Sequence, residues 1–471
     1  MLLSDLLSQV DHRLLYGSVD RPITALTQDS REAGPGSVFV AIRGLRVDGH
    51  RFVPSVEAEA VVVERPVEAP AGVTVVEVDD TRLALARLAA ALHGHPSEEL
   101  DVVGVTGTNG KTTTTWMLEA IARAAGHKVG VVGTTGNRID GLELPTAYTT
   151  PEAPQWQGLL REMVDNGCSV VAAEVSSIGL AARRVDGTRF AVAIYTNFSQ
   201  DHLDAHGTME AYAAAKARLF TEFEIGRAII NVEDAAVAGL LPLTMPVWTF
   251  GLEGGDLHAL ELDLQVRGSF AAMQTPAGVI DLSLPLPGAF NVENALAAAG
   301  AALALGVPPE AIESGLAGLP QVPGRLERVD RDDLDVFVDY AHTPDALETV
   351  LATLRPLARG RLLVVFGCGG DRDRHKRADM GRLACAGADL VFATSDNPRT
   401  EDPAAILGEV RAGLDEHARV ITDRREAINE AIRTAAPGDV LLIAGKGHET
   451  TQEICGVKHP FDDRVVAREA P

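Results

Sequence analysis

The stretch Val103-Gly104-Val105-Thr106-Gly107-Thr108-Asn109-Gly110-Lys111-Thr112 constrains the fold of this chain more than any other. An apolar strand pattern over 102–105 runs into a glycine-punctuated turn, and a helical pattern over 112–125 follows, closed by Gly126. A strand that feeds such a turn and then a helix N-terminus aims several backbone N–H groups at one point, which suits a polyphosphate. Lys111 adds a mobile cation for the β- and γ-phosphates, and the Thr112 hydroxyl can ligate Mg²⁺. The match departs from the strict G-x-x-x-x-G-K-[ST] pattern, which needs glycine where Val105 stands; the additional glycine here is Gly107. The competing reading is a tight strand–helix connection with a surface lysine. The predicted ligand is ATP.

Composition narrows the partners. A length of 471 residues allows about two to four domains. Hydrophobic residues make up 46% but aromatics only 4%, so the cores must be built from Ala, Val and Leu. A formal net charge of −24 disfavours nucleic acid or an anionic membrane surface as partner. Any anionic substrate must then be held by a few local cations. The four cysteines, Cys168, Cys368, Cys385 and Cys455, lie far apart without metal-type pairing and read as reduced thiols. Met1-Leu2-Leu3-Ser4-Asp5 has no basic n-region, and no apolar run approaches spanning length. A soluble cytoplasmic protein is expected.

Three blocks follow one another. The first, to about Pro96, alternates strand patterns (37–42, 60–64, 73–78) with turns and closes on an Ala/Leu helix over 83–92. The second opens with the phosphate loop and continues with buried-type strands at 129–133, 169–175, 191–197 and 228–231, separated by helical patterns, which implies βαβ units and a largely parallel sheet. After Gly251 the pattern alternates to Leu286, and a helix over 292–305 leads to the break Leu319-Pro320-Gln321-Val322-Pro323-Gly324. The third block repeats the α/β rhythm with strands at 336–339, 361–366, 390–394 and 439–444.

Polar clusters close the strands of the third block: Asp339-Tyr340-Ala341-His342, Gly369-Gly370-Asp371-Arg372-Asp373, Asp396-Asn397-Pro398-Arg399 and Gly445-Lys446-Gly447-His448-Glu449. Ligands of open α/β sheets bind outside the carboxyl ends of the strands. Each cluster alone reads equally well as a capped turn; four together point to a composite site. In the middle block, Glu174 follows the apolar run Val170-Val171-Ala172-Ala173. A charge there invites a Mg²⁺ role, because buried charges are rare unless paired or metal-bound. The segment from Asn197 to Asp204 again places Asp and His at a strand end, and Lys216 follows in a helix over 209–220. Spacing alone leaves His202 as either a site residue or a core-edge hydrogen-bonder, and Lys216 as either a site residue or a solvated one.

Taken in order, Thr106 to Thr112, Glu174-Val175-Ser176-Ser177, Asn197 to Asp204, Ala215-Lys216 and Gly324-Arg325-Leu326-Glu327 resemble the Mur ligases, the cytoplasmic ATP-dependent amide ligases that build the peptidoglycan peptide. Asp29-Ser30-Arg31, Gly36 to Ala41, Asp48-Gly49-His50, Asp339 to Pro344 and Gly370-Asp371-Arg372-Asp373 resemble the MurE branch, which adds the third residue to UDP-N-acetylmuramoyl-L-Ala-D-Glu. The resemblance implies a three-domain α/β architecture: a UDP-sugar-binding domain over 1–97, a P-loop-type, mostly parallel ATP-binding domain with an added antiparallel segment over 98–322, and a Rossmann-like amino-acid-binding domain over 323–471. A monomer without nucleic-acid or membrane partners is expected.

Residue by residue, the resemblance implies that Ser30, Leu45, Arg46 and Val47 touch the UDP moiety. It assigns Thr149, Thr150, Ser176 and Arg184 to the muramoyl-dipeptide; for Arg184 the competing reading is a surface arginine beside Arg183. Ile178 and Ala182 depart from the family's usual histidine and glutamine. With ATP go Thr106, Gly107, Thr108, Asn109, Gly110, Lys111, Thr112, Asn294 on the adenine side, Arg325, Asp339 and His342. Thr112, Glu174, His202 and Lys216, the last as a carbamate, would hold Mg²⁺, and Lys111, Glu174, His202 and Lys216 form the catalytic set. The implied reaction is ATP-dependent addition of meso-2,6-diaminopimelate through an acyl phosphate.

The added amino acid is argued from Asp396-Asn397-Pro398-Arg399, which matches the signature of the diaminopimelate-adding enzymes. Diaminopimelate is a lysine-like molecule with a distal carboxylate, so Arg399 and Arg372 are the natural bidentate cations for it. Gly445 and Glu449 would take the distal ammonium end. A folylpolyglutamate synthetase shares the ligase core, and an ATP-binding regulatory module would keep the loop without the chemistry. The motif at 396–399 argues against the first, and the set Lys111, Glu174, His202 and Lys216 against the second.

Overall fold

The computed structural model of the protein describes residues 1–44, 47–236 and 243–471. Leu45 and Arg46, expected at the UDP moiety, lie outside the described residues.

The chain forms three successive α/β sheet systems. In the first, Ala25–Thr27, Ser37–Val40, Ala60–Val63 and Thr74–Glu77 run parallel in chain order, and Arg13–Tyr16 pairs antiparallel outside Thr74–Glu77. Near-continuous valine runs are what a sheet covered on both faces requires. Val61 and Val62 are both fully buried, in separate apolar clusters on opposite faces. The helix Thr81–Leu92 covers one face and is capped by Asp80, whose side chain accepts from the N–H groups of Arg82 and Leu83.

The second sheet has the order Val247–Phe250, Ile225–Asn231, Phe190–Tyr195, Asp101–Thr106, Val170–Glu174, Val129–Val132, Asn137–Ile139, Leu142–Leu144. Its first six strands are parallel and its last two form an antiparallel hairpin. The carboxyl ends of the six therefore share one edge. There Glu174 stands in register with Val105, and Tyr195 with Thr106. The helix Ala289–Ala304 buries its alanines in the core beside helix Lys111–Ala124. The alternating segment after Gly251 is a meander of His258–Gln265, Gly268–Thr275 and Gly278–Leu284.

The third sheet runs Glu327–Val329, Asp335–Asp339, Val440–Ala444, Leu362–Cys368, Leu390–Ser395, Arg419–Val420, antiparallel only at Glu327–Val329. Its four inner strands are parallel neighbours, so the four polar clusters that follow them meet at one sheet edge. The strands missing from the sequence reading are short: Arg13–Tyr16, Ala25–Thr27, the 137–144 hairpin, Val247–Phe250, Glu327–Val329, Arg419–Val420 and the hairpin Thr451–Ile454 with Val457–Pro460. Runs of two to four residues, several of them exposed, carry too little apolar signal to stand out. No helix among the described residues is long and apolar enough to cross a membrane.

Candidate active site

The edge of the second sheet and the edge of the third open onto one cleft of about 920 Å³. At the phosphate loop, Gly107 has φ +150° and Gly110 φ +87°. A Cβ on Gly107 would stand 1.8 Å from Thr196 Oγ1, and one on Gly110 2.3 Å from Asn294 Oδ1, so both positions need glycine. Asn294 thus packs against the loop itself. The helix Lys111–Ala124 starts without a side-chain cap, which leaves first-turn N–H groups for an anion. Thr106 is fully buried with its hydroxyl unpartnered. Thr108 Oγ1 donates to the Ser199 carbonyl at 3.2 Å, and Asn109 N–H donates to Asn197 Oδ1 at 2.8 Å. Lys111 Nζ folds back on the carbonyls of Gly107 (2.7 Å) and Thr108 (2.8 Å). Desolvation lowers its pKa against the pull of Glu174 and Asp201.

Glu174 is 1% exposed and is held by one residue, Thr134, whose N–H donates to Oε1 at 2.8 Å and whose hydroxyl donates to Oε2 at 3.0 Å. Lys216 is also 1% exposed, which rules out the competing reading of a solvated helix residue. Among the described residues nothing accepts a hydrogen bond from its Nζ, which lies 4.4 Å from the centre of the Tyr212 ring. Burial and the nearby Lys111 push its pKa well below the ordinary lysine value, favouring the uncharged amine. His202 takes φ +52°, and its Nε2 lies 3.5 Å from Asp201 Oδ2. Partial desolvation lowers the His202 pKa against the pull of Asp201, which favours the neutral ring that can ligate a cation. Thr112, Glu174, His202 and Lys216 all line the cleft. Among the described residues no three His, Cys, Asp or Glu side chains form a complete metal site. A buried carboxylate and a buried amine without an acceptor nevertheless fit a cation whose remaining ligands come from phosphate and a modified lysine.

Arg325 crosses from the third sheet system, its Nη2 donating to Thr112 Oγ1 at 3.2 Å. Asp339 accepts from the N–H groups of Leu326 (2.7 Å) and Ala341 (2.8 Å); burial raises its pKa. His342 bonds through Nδ1 to the Tyr340 carbonyl at 2.8 Å, and burial lowers its pKa. Asp345, absent from the sequence reading, bridges the two edges: its Oδ2 accepts from Ser199 Oγ at 2.7 Å and Asn109 Nδ2 at 3.3 Å. In sequence it reads only as an acid in the first turn of a helix.

Of the residues expected at diaminopimelate, Arg372, Asp396, Asn397, Arg399, Gly445 and Glu449 line the cleft, whereas Pro398 is buried and does not line it. Arg399 Nη1 donates to the Gly370 carbonyl at 2.7 Å. Asp396 Oδ2 is buried and unpartnered. Glu449 Oε2 accepts from Asn397 Nδ2 at 2.7 Å and from Lys446 Nζ at 3.0 Å. Lys446, which the sequence showed only as a motif member, is fully buried and bonds to two residues of the cleft, Asn397 and Glu449.

The residues expected at the UDP-sugar substrate divide. Thr149 and Ser176 line the cleft; Thr150 is fully buried and donates to the Glu174 carbonyl at 2.9 Å. Arg184 is not a surface arginine: its side chain is 13% exposed, pairs with Glu152 at 2.5 Å, and lies 4.8 Å from the Tyr148 ring. Half-buried Ser30 and exposed Val47 sit in the first sheet system and are not among the described residues that line the cleft.

Comparison with known proteins gives three consecutive matches: the Mur ligase family catalytic domain over residues 22–93, the Mur ligase middle domain over 105–302, and the Mur ligase glutamate ligase domain over 324–447. A relative from Geobacter metallireducens, UDP-N-acetylmuramoyl-L-alanyl-D-glutamate–2,6-diaminopimelate ligase, is 46% identical over 98% of this chain and 97% of its own. A solved structure of a ligase with that name is 36% identical, with a TM-score of 0.73 over 100% of this chain and 98% of that one. MurF ligase from Thermotoga maritima, solved in complex with ADP, shares the fold at 21% identity, with a TM-score of 0.65 over 91% of this chain and 94% of that one. With all three segments matched in order, the chain belongs to the Mur ligase family, in its MurE branch.

Proposed function

We propose that this chain is the ATP-dependent ligase that adds meso-2,6-diaminopimelate to UDP-N-acetylmuramoyl-L-Ala-D-Glu, a cytoplasmic step of peptidoglycan precursor synthesis carried out by a monomer. The observation that carries this reading is the single cleft lined both by the phosphate loop and by the polar strand ends of the third sheet. The segments 1–97, 98–322 and 323–471 bind the UDP-sugar, ATP and the amino acid respectively. Ser30, Val47, Thr149, Thr150, Ser176 and Arg184 serve the first substrate, with Leu45 and Arg46 completing the UDP contact. The phosphate loop, Asn294, Arg325, Asp339 and His342 serve ATP.

The reaction begins when a D-Glu side-chain carboxylate oxygen attacks the γ-phosphorus and ADP departs, leaving an acyl phosphate. The amine of diaminopimelate attacks the acyl carbon, and the tetrahedral adduct expels phosphate and loses a proton. Lys111 moves off its loop carbonyls to the transferring phosphoryl group, supplying the charge that positions it. The uncharged Lys216 amine attacks CO₂, forming an N–C bond and releasing a proton, and becomes a carbamate; this puts a carboxylate where an ammonium would repel cations. Thr112, Glu174, His202 and the Lys216 carbamate would hold Mg²⁺, which when bound neutralises phosphate charge. Incubation with ATP, UDP-muramoyl-dipeptide and either diaminopimelate or lysine, followed by mass measurement, tests the assignment: the product carries diaminopimelate, and a lysine-only product rejects it.

A further inference from the structure

Arg424 opens the helix Arg424–Thr434 and Asp463 opens the helix Asp463–Glu469, and residues of both helices pack into one apolar cluster of the third sheet system. Their side chains are 0% exposed and form a bidentate pair, Nε to Oδ1 at 2.7 Å and Nη2 to Oδ2 at 2.6 Å. The guanidinium has donors left over. Nη2 also reaches the Ala444 carbonyl at 3.0 Å, and Nη1 reaches the Ser395 carbonyl at 3.4 Å. Ser395 immediately precedes Asp396, and Ala444 immediately precedes Gly445. Their strands are not neighbours, because Leu362–Cys368 lies between them. One side chain thus ties two strand ends together across a third strand. Burial opposes the charge, yet the carboxylates of Asp463, Asp396 and Glu449 hold the guanidinium's pKa above its usual value. The same loops are also cross-tied by the buried Lys446, which donates to Asn397 Oδ1 at 3.2 Å as well as to Glu449.

We propose that Arg424 is a positioning residue of the amino-acid pocket: by holding the Ser395 and Ala444 carbonyls it fixes the spacing between the 396–399 and 445–449 loops, and so sets affinity for the incoming diamino acid. This rests on the ligase function proposed above. A lysine at 424 keeps the charge but has no planar fork to serve Asp463 and two carbonyls at once. A misplacement of about 1 Å in a site can cost on the order of 100-fold, so Arg424→Lys should raise KM for diaminopimelate by roughly 10- to 100-fold. KM for ATP and for UDP-muramoyl-dipeptide should stay within about threefold, since the hydrogen bonds of the Arg424 side chain go to Asp463, Ser395 and Ala444 and to none of the residues assigned to those two substrates.

The double variant Arg424→Met/Asp463→Leu removes both charges together, which leaves no orphaned ion and is often neutral for stability. It should fold, by circular dichroism and melting, and show the same selective rise. A folded variant with unchanged KM for diaminopimelate, or with all three KM values moving together, overturns the proposal while leaving the ligase function intact. Collapse of the double variant would assign the pair to the fold and overturn it too. A wild-type enzyme that makes no tripeptide from diaminopimelate removes the function and the proposal together.

Discussion

Arg399→Ala isolates the choice of amino acid from the chemistry. The guanidinium it removes is anchored through Nη1 to the Gly370 carbonyl at 2.7 Å, with Nε 3.8 Å from Glu453 Oε2. Gly369 lets it lie close, since a Cβ there would stand 2.9 Å from Arg399 Nη1. The backbone of Arg399 is held independently, its N–H donating to the Glu453 carbonyl at 3.0 Å and its carbonyl accepting from Cys455 N–H at 2.6 Å, so the loop survives truncation. Removing one partner of a desolvated charge pair costs about 2–5 kcal/mol. The Arg399 side chain is 24% exposed, which places this site at the lower end. About 2–3 kcal/mol corresponds to a roughly 30- to 150-fold loss in kcat/KM for diaminopimelate. Lysine has no distal carboxylate to lose. The assay is the ratio of kcat/KM for diaminopimelate over lysine, at saturating ATP and UDP-muramoyl-dipeptide, in wild type and variant. An unchanged ratio, or a wild type that prefers lysine, would refute the reasoning.

Lys216→Ala should be inactive yet partly restored by added formate or acetate, and ¹³CO₂ should give the wild type a carbamate carbon signal that the variant lacks; full activity without additive would remove the carbamate. Glu293, on the cleft wall, has its carboxyl pushed up to about 7 by burial and by the neighbouring Glu233 and Asp234 carboxylates. The folded protein therefore binds a proton there that the unfolded chain gives up near pH 4.5, and this contribution to stability is present in acid and fades as pH rises through about 7. Glu293→Gln should flatten that part of the curve of melting temperature against pH; identical curves would contradict the shift.

The phosphate loop was legible because its geometry is local. The strand, the two positive-φ glycines and the uncapped helix start all fall within ten residues, where sequence periodicity and turn chemistry act directly. The inner strands were legible for the same reason: a strand buried on both faces is written as an uninterrupted run of Val, Ile, Leu and Ala. Glu174 stood out as a charge closing such a run. What the sequence left open was which polar residues meet. The reading of Lys216 as solvated or as part of the site turns on its 1% exposure, which depends on what the helix Met209–Thr221 packs against and not on its neighbours in the chain. Asp345 is 236 residues from Asn109, and Asp463 is 39 from Arg424; no local period relates them. The order of the third sheet, with Val440–Ala444 inserted beside Leu362–Cys368, brings the loops at 396 and 445 within reach of one guanidinium. Hydrogen bonds and ion pairs act over a few ångströms in space and are blind to separation along the chain. The sequence by itself therefore determined the elements and the chemistry each carries, and only the tertiary structure decided which of those groups share a site.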